Sequence, residues 1–327
     1  MDALIAPHHH DEDAARAYLE AKLWPEGPVC PHCGIIGEAF KLVGKTTRKG
    51  LWKCSACREP FTVTMRTIFE DSHIPLHKWL LAIHLMCSSK KGVSAHQLWR
   101  NLWGTDENGK QLGSYRTAWF MAHRIRWALN QEPIATVLSG IVEADETYIG
   151  GKIRPGPHAN KPGERPKDRM SQFANKQAVV SVLQRGGDVR SVHVERVTAE
   201  TLRSVIDGSV DKSAHLMTDS SFAMKHAKGG RKHDRVNHKA GEYVRYENGV
   251  CITSNTVEGY FSLLKRGVNG IFHHVGKQHL HRYLSEFDFR YNGRKLTDTD
   301  RATLAIKATE GKRLTLKEPK QQFQGKM

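Results

Sequence analysis

The chain has 327 residues, with 50 lysines and arginines against 34 aspartates and glutamates, a formal net charge of +16. Roughly 100 to 200 residues make one domain, so two or three modules are expected, and the charge suits a polyanionic partner, nucleic acid first. No stretch approaches about 18 uninterrupted apolar residues, and MDALIAPHHHDEDAARAYLEAKLW lacks the basic-then-apolar order of an export signal. These features argue against a membrane partner and lead us to expect a cytoplasmic protein.

The chain opens on His8, His9 and His10, read as a polar leader before a helix. The six cysteines do not suggest a disulfide scaffold. Cys30-Pro31-His32-Cys33 and Cys54-Ser55-Ala56-Cys57 are two CxxC pairs separated by twenty residues. Each pair can form a tight knuckle presenting two thiolates to one cation, and the intervening residues suffice for a hairpin that returns the second pair to the first. A structural four-cysteine zinc ribbon is expected to about residue 65, with Trp52 and Phe61 over its small core. Cys87 and Cys251 have no such partner and read as small buried hydrophobes.

From about residue 75 to 130 the apolar spacing becomes helical, within a connector expected over residues 66–135. PLHKWLLAIHLMCSS places Trp79, Leu80, Ile83 and Met86 or Cys87 on one face; VSAHQLWRNLW and SYRTAWFMAHRIRWALN follow, the last after the polar loop GTDENGKQLG. Three helices with short connections predict a helix-turn-helix-like connector. Arg116, His123, Arg124 and Arg126 give its last helix a basic face toward phosphates.

Past QEPIATVLSG the pattern turns to strands. IVEADETYIGG alternates so that Ile141, Glu143, Asp145, Thr147 and Ile149 share one side, and QAVVSVLQ and VRSVHVERV flank the hairpin turn RGGD. TAETLRSVIDGSV reads as a helix capped by Thr198, and AHLMTDSS as a short strand ending in Asp219. Three strands, a helix, a strand and a later helix is the order of a ribonuclease H-like domain, expected over about residues 136–295. The fold class is therefore multidomain α+β. Phosphodiester chemistry by such a domain needs carboxylates that hold two hard cations about 4 Å apart. Asp145 and Asp219 are the candidates; Glu143 and Glu146 compete with the first, Asp207 and Asp211 with the second.

SNTVEGYFSLLKRG, residues 254–267, can be read in two ways. Val257, Phe261, Leu264 and Val268 form an apolar helical stripe, with Asn255 able to cap the helix and Glu258, three residues on, able to reach back to its N–H. Alternatively, a helix packed by that stripe aims Glu258 at metal and Lys265, two turns along, at a phosphate.

CPHCG with CSAC, KGVSAHQLWR, TAWFMAHRIRWAL, DETYIGGK, VNHKAGEYV and NTVEGYFSLLKRGVNGIFHHVGKQHLHRYLSEFDFRYNGR together resemble, in order from about residue 20 to 295, the ISXO-type insertion-sequence transposases. The resemblance implies a zinc ribbon, a helix-turn-helix connector and a ribonuclease H-like domain that cuts and joins double-stranded DNA at transposon ends with Mg²⁺ or Mn²⁺. Carried onto this chain, it implies Asp145, Asp219 and Glu258 as the metal-holding acids and Lys265 as a DNA-contacting lysine. Family members also carry Asn or His at the third position, which leaves Asn255 as the alternative to Glu258. The loop GTDENGKQLGSY is longer than the family pattern. An oligomer assembled on terminal inverted repeats and target DNA, at the nucleoid, is the expected form; a catalytically inactive DNA-binding regulator and another ribonuclease H-like nuclease are the competing readings.

Two basic runs flank these acids. KIRPGPHANKPGERPKDRMSQFANK, residues 152–176, reads as a mobile loop, and MKHAKGGRKHDRVNHKAGEY as a second solvated, phosphate-facing segment. With Lys265 they bring Arg266, Arg231 and Lys232 to the expected DNA-contacting set, beside Arg124 and Arg126 of the connector. HHVGKQHLHRYLSEFDFRYNGRK reads as a helix whose histidines add to a basic surface, and residues 296–327 as a polar tail.

Overall fold

The structure, a computed structural model, describes residues 4–130, 137–151 and 176–314, apart from the side chains of Phe222 and Lys239. The chain divides into two compact units, one of Met1–Asn130 with Gly293–Met327 and the other of Gln131–Asn292.

In the first unit, α1 (Glu12–Leu23) starts at Asp11, whose carboxylate accepts the Ala14 N–H at 2.7 Å. The residues before it are no polar leader: His9 is buried with its ring 5.3 Å from that of His84, and His8 stacks on Tyr18. β1 (Ala39–Lys41), β2 (Trp52–Cys54) and β3 (Pro60–Phe61) form an antiparallel sheet in that order. Trp24 and Trp52 pack with buried Phe61 over it. Then come α2 (Leu76–Ser88), α3 (Ala95–Trp103) and α4 (Tyr115–Ala128). The expected apolar face of α2 is buried at Trp79, Leu80, Ile83, Met86 and Cys87.

The basic face expected on α4 is not a surface. Residues Met121 to Arg126 are all buried, and the Arg124 guanidinium donates to the Glu70 carbonyl at 2.9 Å while lying over the Trp79 and Phe120 rings. Arg126 is 1% exposed. Aromatic faces and burial claim these long stems, so Arg124 and Arg126 do not present charge to a phosphate, and of the expected face only Arg116 is exposed.

The second unit opens with β4 (Ile141–Ile149), β5 (Gln177–Gln184), β6 (Val189–Val194), α5 (Ala199–Ser209), β7 (His215–Asp219), α6 (Phe222–Ala227) and β8 (Lys232–Val236). Its five-stranded sheet has the order β6-β5-β4-β7-β8, with β4–β5 and β5–β6 antiparallel and β4–β7 and β7–β8 parallel. The second basic run is therefore structured, supplying α6 and an edge strand rather than a loop. Arg231 is buried within it and donates to the Val210 and Asp211 carbonyls at 2.6 and 3.0 Å and to Asp207 at 2.6 Å. It closes the C-terminal end of α5, where helical carbonyls lack internal donors, and is not free for DNA. The run at residues 152–175 lies outside the described residues.

β9 (Arg245–Glu247) and β10 (Val250–Ile252) pair across Asn248-Gly249, both with positive φ, the backbone a two-residue hairpin turn demands. α7 (Asn255–Gly267) and α8 (Leu280–Asn292) follow. Period-two alternation in β4 and β5 sorts two cores. Val142, Ala144, Val180 and Val182 pack with Leu202 and Ile206 of α5, whereas Ile149, Val179 and Leu183 pack with Val257, Phe261 and Leu264 of α7 and with α8. Helices thus cover both sheet faces. Half-buried Asp288 of α8 accepts from the Ser191 N–H and hydroxyl and from Tyr260, tying β6, α7 and α8 together, and desolvation raises its pKa to about 7. Burial likewise lowers His281 to about 4, so this histidine is neutral and adds nothing to a basic surface.

α9 (Asp298–Lys307) then returns the chain to the first unit. Thr297 caps it and its Ala302, Ala305 and Ile306 are buried, so the stretch expected as a tail contains a helix packed on α2. Among the described residues no helix is long and apolar enough to cross a membrane.

Candidate metal centres

The two CxxC pairs fold as matching knuckles. Gly34 and Arg58, each directly after the second cysteine of a pair, take positive φ, and the Gly34 and Arg58 N–H groups bond back to the Cys30 and Cys54 carbonyls. Four Sγ atoms, of Cys30, Cys33, Cys54 and Cys57, all lie within 4.8 Å of one another, with Cys30–Cys57 and Cys33–Cys54 at 3.6 Å. A tetrahedron with bonds of about 2.3 Å has edges of about 3.8 Å, so the set fits zinc. The backbone N–H groups of Cys57 and Ala56 lower the Cys54 thiol to about 7, toward the thiolate a zinc ligand must be. Cys54→Ser is expected to lose bound zinc, measured as metal per chain, and to make residues 30–60 protease-sensitive, because the ribbon's sheet is otherwise three short strands.

In the second unit, β4 and β7 bring the two aspartates together. Their parallel pairing runs from Ile141↔His215 to Ala144↔Thr218, and Asp145 and Asp219 are the next residues on each strand. Neighbouring strands lie about 4.8 Å apart. Asp219 sits where β7 ends and accepts the Ser221 N–H at 2.9 Å; Asp145 accepts the Glu146 N–H at 2.8 Å. Burial, then the charges of Glu146, Asp219 and Glu258, push Asp145 up to about 8. Glu146 rises to about 6, chiefly by burial and then through Asp219. Asp145, Glu146, Asp219 and Glu258 thus form one electrostatic cluster of like charge, although among the described residues only the cysteines bring three or more ligand atoms within 4.8 Å of one another.

The start of α7 corrects the capping reading. Ser254, not Asn255, is the N-cap, and Asn255 is an exposed first helical residue. Glu258 does not reach back to a backbone N–H; its Oε1 takes the Ser254 hydroxyl at 3.2 Å and His238 Nε2 at 2.9 Å. The helix N-terminus is held instead by Glu143. Fully buried on the same side of β4 as Asp145, it accepts the Thr256 and Val257 N–H groups at 2.8 and 3.0 Å and the Thr256 hydroxyl at 2.8 Å. Arg185 pairs with it at 2.9 Å and also donates to the Cys251 and Thr253 carbonyls. Glu143 is therefore a helix anchor that sets Glu258's position, a role no local pattern around residue 258 contains.

Lys265 and Arg266 are exposed in the last turn of α7, and Lys232 is exposed on edge strand β8. Asp207 and Asp211 are engaged around Arg231, away from candidacy as the second acid. His238, overlooked in the sequence, bonds the Glu258 carboxylate together with Ser254.

Residues 10–60 match the transposase zinc-ribbon domain family, and residues 137–292 match the ISXO2-like transposase domain family. The first match contains all four cysteines, and the second contains Asp145, Asp219 and Glu258. A relative in Halobacterium salinarum, an uncharacterized protein in transposable element ISH50, is 26% identical over 274 residues, covering 82% of this chain and 86% of its own length. The chain is thus similar, in these two segments, to a transposase zinc ribbon and to a transposase domain. Both matched segments are the ones whose motifs resemble the ISXO-type transposases.

Proposed function

We propose that the protein is an active transposase whose second unit is a ribonuclease H-like domain that cleaves DNA strands at transposon ends and joins the freed 3′ ends to target DNA. The observation that carries this reading is the pair Asp145 and Asp219, side by side on adjacent parallel strands, with the Glu258 charge close enough to raise Asp145. The sheet order, three antiparallel strands followed by two parallel ones with the first strand central, supports the fold assignment.

The donor set fits a hard divalent cation: mutually repelling, partly buried carboxylates carry a cost that a cation would relieve. Asp145, Asp219 and Glu258 would hold Mg²⁺ or Mn²⁺, which when bound supplies activation of an oxygen nucleophile and stabilisation of charge on the leaving oxygen. The chain's own residues do the positioning. β4 and β7 fix the two aspartates in register, Glu143 fixes the α7 start, and α7 carries Glu258 toward them with Lys265 exposed two turns on for a phosphate. Hydrolysis to a 3′-hydroxyl and attack of that hydroxyl on target DNA are chemically alike, so one cluster serves both.

The raised pKa values give a signed expectation. Without a cation, Asp145 keeps its proton up to about pH 8 and Glu146 up to about pH 6. Cation binding must displace these protons, so affinity for Mg²⁺ should climb between pH 6 and 8, with proton release visible by calorimetry in buffers of different ionisation enthalpy. Because these folded values lie above the unfolded ones of about 4, the cation-free fold loses stability as pH rises from about 4 to 8. Added Mg²⁺ should therefore raise the melting temperature more at pH 8 than at pH 6. The reading itself is tested by incubating the full chain with duplexes made from the DNA flanking its gene and a target plasmid. Joined 3′ ends support a transposase; hydrolysis without joining marks a different nuclease, and DNA binding without cleavage under any divalent metal marks a regulator.

A further inference from the structure

The two family matches leave residues 61–136 unassigned, and the structure moves the surface of that region from α4 to α3. α4 buries Arg124 and Arg126, as described above, and of its charged residues exposes only Arg116 at its start, whereas α3 is sharply two-sided. Leu98 and Leu102 are buried toward α4 and α2, while His96, Arg100 and Asn101 are exposed and Gln97 is half-exposed. Those outward side chains are linked: Gln97 Nε2 donates to Asn101 Oδ1 at 2.9 Å, and Arg100 donates to Gln97 Oε1 at 2.7 Å. The row is held in place before any partner arrives, and it leaves the Asn101 amide and the remaining Arg100 N–H groups facing solvent.

We propose that α3 is the helix that reads base edges in the major groove of duplex DNA, with Gln97, Arg100 and Asn101 as its specificity-determining residues. The inference rests on the DNA-end reading above and names the surface through which an end would be recognised. Arg paired with guanine and Gln or Asn paired with adenine are the side-chain chemistries that distinguish base pairs in that groove. The setting suits a duplex. α2 leads into α3 through a turn built on Gly92 at φ 103°, with Ser89 bonding across it and Ser94 capping α3. Exposed Lys90 and Lys91 lie in that turn, at the N-terminal end of α3, where they and the helix dipole favour a phosphate.

The long loop after α3 does not separate it from α4. Thr105 bridges Gln111, Asp106 Oδ1 gathers the Asn108 and Lys110 N–H groups, and Trp99 Nε1 donates to the Leu112 carbonyl at 2.7 Å. Exposed Lys110 and Arg116 extend the positive rim, and His96 stacks on Tyr115 at the start of α4.

The test is selection from a randomised duplex pool with the full, zinc-loaded chain, comparing wild type, Arg100→Ala, the Gln97→Ala/Asn101→Ala pair and the Lys90→Ala/Lys91→Ala pair. All five substitutions are at partly or fully exposed positions, and unchanged zinc content and melting temperature establish folding. Wild type is expected to enrich a short motif. Arg100→Ala should lose preference at one position by on the order of tenfold, the effect of one lost bidentate base contact. The lysine pair should weaken binding to every sequence alike and reduce the salt slope by about two. If the Arg100 and Gln97/Asn101 variants enrich the wild-type motif with wild-type affinity, α3 is not the reading helix although the protein remains a DNA-end binder. If wild type enriches no motif, α3 reads no sequence, and if it fails to bind duplex DNA at all, the DNA-end reading falls as well.

Discussion

Asp145→Asn and Asp219→Asn are each expected to depress strand cleavage at transposon ends by on the order of a thousandfold or more, while leaving the chain folded and able to bind DNA. Both aspartates sit at the same level of adjacent parallel strands, and neither substitution changes side-chain volume. The effect follows from electrostatics. Hydrolysis of a phosphodiester concentrates negative charge on the oxygens around the reacting phosphorus, and on the proposed reading the carboxylates would hold the cations that compensate it. An amide keeps the shape and one acceptor but discards the charge. The stability change should run opposite to the activity change: Asp145 is a partly buried group whose ionisation is opposed by its surroundings, so Asp145→Asn should raise the melting temperature of the cation-free protein at pH 8. Losses of activity caused by unfolding would show the reverse, which makes the pair of measurements, product formation on a denaturing gel and thermal melting, decisive together.

The second large effect is on stability. Glu143→Ala is expected to cost about 3–5 kcal/mol, read as a shift in denaturant midpoint, because removing one partner of a buried ion pair strands the other. Here the loss is compounded: Arg185 keeps its carbonyl partners but loses its counter-charge, and the Thr256 and Val257 N–H groups at the α7 N-terminus lose their acceptor. Glu143→Gln retains an acceptor for one of these donors and should cost less. Cleavage should fall in Glu143→Ala beyond what unfolding explains, since α7 and with it Glu258 would no longer be fixed against β4.

This pair of glutamates shows where the sequence was readable and where it was not. The alternation in IVEADETYIGG put Glu143 and Asp145 on one side of a strand, and the strand exists over Ile141–Ile149 with that sidedness. Which of the two acids faces the cluster and which caps a helix depends on a partner 113 residues away, and no periodicity carries that information. The same limit produced the capping box at Asn255 and Glu258: the residue types suit it, yet a stronger buried acceptor already occupied the helix end. Arg124, Arg126 and Arg231 failed for a related reason. Charge counts treat every guanidinium as surface, whereas a long apolar stem and five donors let arginine serve as an internal brace where carbonyls or aromatic faces are available. The zinc ribbon was the opposite case, since ligand spacing is a local constraint and four Sγ atoms converge where the two CxxC pairs put them. Asn248-Gly249 was a local signal too, and the short β9–β10 hairpin could have been drawn from it. Helices α2 to α4 followed from their apolar period, but which of them shows a polar face to solvent is a property of how they pack.

Whether Asp145, Asp219 and Glu258 together hold a divalent cation is tested by Mn²⁺ binding, without depending on DNA or turnover. Zinc-loaded wild type, Asp145→Asn, Asp219→Asn, Glu258→Gln and Asn255→Ala would be titrated at pH 8 and free Mn²⁺ followed by electron paramagnetic resonance. A shared cation site requires that each of the three carboxylate variants lose most of the binding seen in wild type while keeping its zinc and melting no lower than wild type, and that Asn255→Ala bind as wild type does. Undiminished binding by Glu258→Gln, or loss of binding in Asn255→Ala, would contradict it.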